Sequence, residues 1–368
     1  MSLKIKLSFV FSLLFLTGIL LPYNGYGQTE NLRKAFDKAK NEEFSGVILL
    51  AEQGGVFFEE ASGYRSFEEG VELLPTDVFE MASVSKQFTA MLVMMCKEKG
   101  LLKYEDQVQD FLDVPYASIS VRQLLNHTSG LPDYQEIMDQ HWDKTKVASN
   151  EDILEYLREY QPPMLFQPGE KYEYSNTGYV FLASIVEKVT EEDFIHLSRK
   201  WIFEKLEMQN TDIRTLEEKA QVKNFAAGHL QNEEGDYINA NKFHDSDYTV
   251  WLGNRKGPGR VSSTALDLLK WDQALYTEQL IAKETLEEAF QPATLNDGSD
   301  YPYGFGWDLE WDDDLGKIVS HDGDNPGYRT KIIRLIDQQK TLILLNNNAH
   351  PSKDRLLEES LEILKNWD

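Results

Sequence analysis

Ser83 and Lys86 stand three residues apart in Met81-Ala82-Ser83-Val84-Ser85-Lys86-Gln87-Phe88-Thr89-Ala90, and the apolar run that follows reaches Cys96. The pattern predicts a helix with Ser83 in its first turn, and side chains at i and i+3 share a helix face. That sets a hydroxyl beside an amine. A serine hydroxyl attacks a carbonyl only when a neighbour removes its proton, and the positive end of a helix favours the oxyanion that forms. Taken alone, the four residues describe equally well a serine N-cap followed by a solvated lysine.

Two further stretches carry polar residues suited to a cleft. Tyr172-Glu173-Tyr174-Ser175-Asn176-Thr177-Gly178-Tyr179 lies between a Pro168-Gly169 turn and an apolar helical pattern, so a loop would present the Tyr174 phenol and the Asn176 amide. A phenol, with an ordinary pKa of about 10, becomes a base only beside positive charge, which Lys86 could supply. The same stretch also fits an Asx turn that caps the following helix. Ser320-His321-Asp322-Gly323-Asp324-Asn325-Pro326-Gly327-Tyr328 precedes a hairpin pattern and offers His321 as a donor or titrating partner. A metal site of His321, Asp322 and Asp324 is disfavoured, because on a strand 322 and 324 leave the face opposite to 321 and 323. The other six histidines, His127, His141, His196, His229, His244 and His350, are scattered.

The elements that must hold these residues follow from period and punctuation. Residues 45–51 and 56–58, split by Gly54-Gly55, read as a hairpin, and residues 331–336 and 341–345 repeat that pattern near the far end, so the two ends can share one antiparallel sheet. Arg355 to Trp367 reads as a closing amphipathic helix. Between them the signals are mostly helical: 91–99 stopping at Gly100, 121–125, 151–160, 179–189, 194–206 and 266–276. Loops at Gly130-Leu131-Pro132, Gln167-Pro168-Gly169 and Lys256-Gly257-Pro258-Gly259 punctuate them as surface loops or crevice walls. At the start, Lys4 and Lys6 precede an apolar run to Leu21, with Gly25 and Gly27 beyond it, which reads as a cleaved secretory leader over residues 1–27. A net charge of −25 argues against nucleic acid as a partner. Cys96 is the single cysteine, so no internal disulfide forms, and its apolar setting predicts a buried, inert thiol.

Six ordered segments together resemble the serine β-lactamase and penicillin-binding-protein superfamily, closest to its class C β-lactamase-like, esterase and D-peptidase branch. They are Ser83-Val84-Ser85-Lys86; Leu124-Leu125-Asn126-His127-Thr128-Ser129-Gly130-Leu131-Pro132; Gln167-Pro168-Gly169 leading to Tyr174-Ser175-Asn176; Val261-Ser262-Ser263-Thr264-Ala265-Leu266-Asp267-Leu268 with Trp271; Tyr303-Gly304-Phe305-Gly306-Trp307; and His321-Asp322-Gly323. The resemblance implies an α/β (α+β) fold: an antiparallel sheet flanked by helices on both faces, built from residues 28–100 and 258–368, with a mostly helical insertion domain at 101–257. It implies an acyl-enzyme on Ser83, with Lys86 taking the serine proton and Tyr174 assisting as base toward Ser83 and later toward water. Asn176 would hold the substrate amide, and His321, Gly323 and Asp324 would line the substrate. The backbone N–H groups of Ser83 and Asp324 would form the oxyanion hole, each donor worth about 3 to 4 kcal/mol. No metal or organic cofactor is implied.

The third motif departs from Lys-Thr-Gly: His321 stands for the lysine and Asp322 for the hydroxyl residue. Loss of the permanent cation weakens the grip on a β-lactam carboxylate. The expectation is therefore a serine hydrolase of esters or amides, including D-amino-acid peptides, with weak or no β-lactamase activity. The alternatives are a β-lactamase or D-Ala-D-Ala carboxypeptidase, a non-catalytic penicillin or wall-fragment sensor with a long-lived Ser83 adduct, and a non-catalytic scaffold. The expected partner is a small-molecule or peptide substrate, the expected location periplasmic or secreted, with no stable membrane insertion once the leader is cleaved. Oligomeric state is not readable. Trp251, Tyr328 and Arg329 are candidate lining residues, with Arg329 a candidate replacement for the missing cation.

Overall fold

The computed structural model describes residues 26–367, so the expected leader lies outside the described residues apart from Tyr26 and Gly27. Those two open a helix that the sequence pattern did not announce, α1 at Tyr26–Asn41. Its buried residues Leu32, Ala35, Phe36 and Ala39 follow the helical 3–4 spacing and form one apolar stripe. The first hairpin is β1 (Gly46–Glu52) and β2 (Gly55–Ser62), followed by the short strand β3 (Phe79–Glu80) and the helix α2 (Lys86–Glu98).

Further along come α3 (Asn176–Thr190) and two short strands, β4 (Asp212–Ile213) and β5 (Val261–Ser263). The chain closes with β6 (Asp308–Asp312), β7 (Gly316–Asn325), β8 (Tyr328–Leu335), β9 (Lys340–Asn346) and α4 (Ser352–Lys365). The main sheet is antiparallel, in the order β6-β7-β8-β9-β1-β2. Its two terminal hairpins meet where β1 runs beside β9, with Gly46 opposite Asn346 and Glu52 opposite Lys340. The expected sharing of one sheet by the two chain ends is thus present.

Both faces of that sheet are covered, which is why β1 reads as a continuous apolar run rather than an alternation. Val47 and Leu49 join Val319, Ile332, Ile343 and Leu345 in the core against α2. Ile48 and Leu50 join Ile318, Ile333, Leu342 and Leu344 in a second core against α1 and α4. Residues 101–257 supply the helices Val121–Leu125, Asn150–Tyr160 and α3, and also β4 and a small hairpin, His229–Gln231 with Tyr237–Asn239. The chain entering that hairpin packs back on the rest of the fold: Ala226 N donates to Val78 O just before β3, and His229 N to Asn347 O just beyond β9. Among the described residues no helix is long and apolar enough to cross a membrane.

Candidate active site

Ser83 is delivered by a sharp change of direction. From β3 the chain passes Met81 and Ala82, enters a 3-10 turn at Ala82–Ser85 and continues directly into α2. Ser83 therefore precedes the α-helix instead of sitting in its first turn. Ala82 has φ of 47°, a left-handed conformation costly for a residue with a Cβ, and such strain persists only where surrounding contacts impose it. Those contacts are present. Met81 N donates to Val261 O at 2.8 Å, Val261 N to Ser85 Oγ at 3.0 Å, and Thr330 Oγ1 to Met81 O at 3.0 Å. Both β5 and β8 thus grip the turn, leaving Ser83 itself half-buried at its apex.

The residues of α2 are buried continuously from Lys86 to Cys96, which excludes a solvated lysine. Lys86 has no exposed surface, and its Nζ lies 3.0 Å from Ser83 Oγ, 2.9 Å from Asn176 Oδ1 and 2.9 Å from the Pro258 carbonyl oxygen. Burial, reinforced by the nearby Arg255 guanidinium and only partly opposed by Asp133, drives its pKa well below that of an ordinary lysine. The geometry suits the neutral amine. Nζ donates to all three oxygens; on losing a proton it keeps two N–H groups for the two carbonyl oxygens and gains a lone pair for the Ser83 hydroxyl.

The Tyr174 stretch does two jobs with different residues. Ser175, not Asn176, caps α3, its Oγ accepting from Gly178 N at 3.2 Å, so Asn176 is free to give Oδ1 to Lys86. The Asn176 Nδ2 remains as a donor for a substrate carbonyl. Tyr174 is 39% exposed, yet its hydroxyl is hydrogen-bonded to Ser83 and its ring centroid lies 4.7 Å from Lys86 Nζ. Desolvation pushes this phenol above its ordinary pKa, the Ser83 bond only partly opposing the rise. Burial thus works against both charged forms, lowering the Lys86 amine and raising the Tyr174 phenol, so desolvation opposes the phenolate that a nearby cation would favour.

The third wall is β7, in register with β8 so that Gly323 faces Thr330 and Asp324 faces Arg329. A Cβ on Gly323 would meet Thr330 Oγ1 and the Met81 carbonyl oxygen, so glycine is what lets this strand approach the serine turn. His321 is 3% exposed, and both ring nitrogens are engaged within the protein: Nδ1 with Asp322 O at 2.6 Å and Nε2 with Tyr303 Oη at 2.9 Å. Burial and Lys86 lower its pKa to about 3. His321 is thus neutral and fully satisfied, which corrects the expectation that it binds substrate directly. Asp322 and Asp324 point to the opposite face, where they pair with Lys331 and Arg329. Arg329 consequently cannot replace the missing cation. Tyr328 and Trp251 are likewise buried, with hydrogen bonds to Ala226 O and Asp247 Oδ1, and do not line the cleft. Among the described residues no cluster of three or more His, Cys, Asp or Glu is placed to hold a metal. Cys96 is buried, and burial pushes its thiol up to about 12, as expected of an inert thiol.

Several contributors escaped the sequence reading. The Pro258 carbonyl is one; the signal was the Gly257-Pro258-Gly259 run, and Gly257 has φ of 110° with its α-carbon packed against the Tyr179 backbone. Ser85 and Thr330, which hold the serine turn, are others. Tyr303 and His127 appeared only within motifs and prove to be buried neighbours of Tyr174 and His321.

With this geometry in place, comparison with known proteins gives the family. The beta-lactamase family model matches residues 32–365. The chain belongs to that family, among serine hydrolases related to penicillin-binding proteins and D-aminopeptidases. It is 39% identical to penicillin-binding protein 4* of Bacillus subtilis, across 85% of this chain and 70% of that one. It is 24% identical to a D-aminopeptidase of Brucella abortus, across 85% of this chain and 58% of the relative's length. The structure of an octameric penicillin-binding protein homologue from Pyrococcus abyssi superposes with a TM-score of 0.77 at 25% identity, covering 91% of this chain and 77% of that one.

Proposed function

We propose that this protein hydrolyses esters or amides, D-amino-acid peptides included, through an acyl-enzyme on Ser83, with little or no turnover of β-lactams. The observation that carries this is the setting of Lys86: a fully buried amine whose Nζ lies 3.0 Å from Ser83 Oγ and 2.9 Å from the Asn176 and Pro258 carbonyl oxygens, with a pKa driven well below that of an ordinary lysine. Lys86 removes the serine proton as Oγ attacks the carbonyl, and the oxyanion is held by the Ser83 and Asp324 backbone N–H groups. Tyr174 acts as a phenol, donating its proton to the leaving group and recovering one from Lys86. Water then enters, and the same residues run in reverse to release the acid.

The restriction against β-lactams rests on the third wall. His321 is neutral and engaged, and Arg329 is turned away, so a carboxylate meets no cation there. Penicillin-binding and D-aminopeptidase relatives support the reaction class. Export through the leader, with the enzyme working outside the cytoplasm, is part of the same proposal. A panel of p-nitrophenyl acyl esters, D-amino-acid amides and a chromogenic cephalosporin tests it, with a fluorophosphonate probe marking Ser83. Ester or amide turnover lost in Ser83→Ala is expected; efficient cephalosporin hydrolysis without either would overturn the reading.

A further inference from the structure

A line of buried polar groups runs beneath the cleft from the Tyr174 loop to β7. Ser175 N lies 3.1 Å from His127 Nδ1, His127 Nε2 lies 3.2 Å from Tyr303 Oη, Tyr303 Oη lies 2.9 Å from His321 Nε2, and His321 Nδ1 lies 2.6 Å from the Asp322 carbonyl oxygen. His127, Tyr303 and His321 are at most 3% exposed. The ends of the line are main-chain groups, whose roles are fixed: an amide N–H can only donate and a carbonyl can only accept. With both rings neutral, one direction satisfies every atom of the line. His127 accepts at Nδ1, so as a neutral ring it carries its proton on Nε2 and donates to Tyr303. Tyr303 donates onward to His321 Nε2, and His321 carries its proton on Nδ1 for Asp322.

We propose that Tyr303 is a positioning residue, the central link of a one-directional hydrogen-bonded strut that sets Tyr174 and Asn176 against β7 while touching no substrate. The spacing supports this. The His127 ring lies tilted against the Tyr174 ring, centroids 4.3 Å apart, and accepts from the amide between Tyr174 and Asn176, whereas His321 precedes the Gly323–Asp324 segment of the opposite wall. Fully satisfied polar chains in a dry interior are rigid, and small misplacements at a reacting centre are costly in rate. The histidine of the third motif thereby acquires a purpose other than substrate binding: it is the acceptor that ends the strut.

The strut demands that two histidines of one protein hold opposite neutral tautomers, which 15N correlation spectra of histidine-labelled wild type read directly, with signals assigned through His127→Gln and His321→Gln. A protonated Nε2 on His127 and a protonated Nδ1 on His321 are expected at neutral pH. The reverse at either ring, or an imidazolium, overturns the proposal. Tyr303→Phe keeps the ring and deletes the link. It is expected to lower kcat on p-nitrophenyl esters about tenfold to a hundredfold, to leave KM within about threefold, and to mix the His321 tautomers; an unchanged kcat overturns the proposal. The kinetic arm rests on the hydrolase reading, but the tautomers do not. A wild type with no turnover of any ester or D-amino-acid amide in the panel and with both tautomers in place would refute the hydrolase and leave the strut standing.

Discussion

Lys86 and Arg334 are both without exposed surface, and the protein treats them in opposite ways. Arg334 donates through Nε to Asp272 Oδ1 at 2.6 Å, Thr341 Oγ1 donates to the other carboxylate oxygen at 2.6 Å, and the guanidinium lies 4.6 Å from the Tyr276 ring centroid. Its charge is matched. Lys86 is offered two carbonyls and a hydroxyl and, among the described residues, no carboxylate partner in an ion pair. A buried guanidinium with an acid partner joins elements together, here β8 to the helix Ala265–Ala274. A buried lysine without such a partner has its pKa lowered, and an amine beside a serine is a base. The difference between structure and chemistry lies in the partner carboxylate and in the head group that meets it.

That contrast can be broken from either side. Ser83→Ala and Lys86→Met should each lower kcat/KM by about a thousandfold or more, without lowering the thermal midpoint, since Lys86→Met removes a desolvated amine; ester assays and melting curves check both halves. The base must be unprotonated, so the rate should be retained above the folded pKa of Lys86 and fall about tenfold per unit as pH drops through it. His321, titrating at about 3, cannot account for that limb. Asp272→Ala should do the reverse of Lys86→Met. Stranding Arg334 should cost about 3 to 5 kcal/mol in urea unfolding, while kcat per folded molecule stays near wild type. A large kcat loss in folded Asp272→Ala would dissolve the distinction between the two cations. Gly323→Ala should sit between them, costing about 1 to 3 kcal/mol from the clash with Thr330 and Met81 and also slowing turnover. Arg329→Ala should do least: its pair with Asp324 is exposed, worth below about 1 kcal/mol, and charged and neutral substrates should be affected alike.

Much of this was legible in the chain because it is encoded locally. Short apolar runs on either side of tight turns give both hairpins, and Ser83 with Lys86 and Tyr174 with Asn176 are short-range patterns. The misses have physical causes. The helix α1 shares only Tyr26 and Gly27 with the expected leader, and its apolar stripe of Leu32, Ala35, Phe36 and Ala39 is thinly spread among charged residues, so its period is weak in the sequence. The 3-10 turn at Ser83 depends on a strained Ala82 held by β5 and β8, which no propensity scale describes. His321 looked like a ligand for substrate because its two partners come from tertiary approach in one case and its own strand in the other. Tyr303 and His127 lie 176 residues apart, and only the closed fold shows that they touch.

One acceptor for Lys86 is the carbonyl of Pro258, which belongs to the main chain. Genetic drift can replace a side chain outright, but it can only shift a backbone carbonyl, and Gly257 against Tyr179 restrains even that shift. Half of what poises the base is therefore sheltered from substitution at its own position. A lineage of such enzymes can rebuild its crevice walls for new acyl groups while the amine beside the serine stays ready.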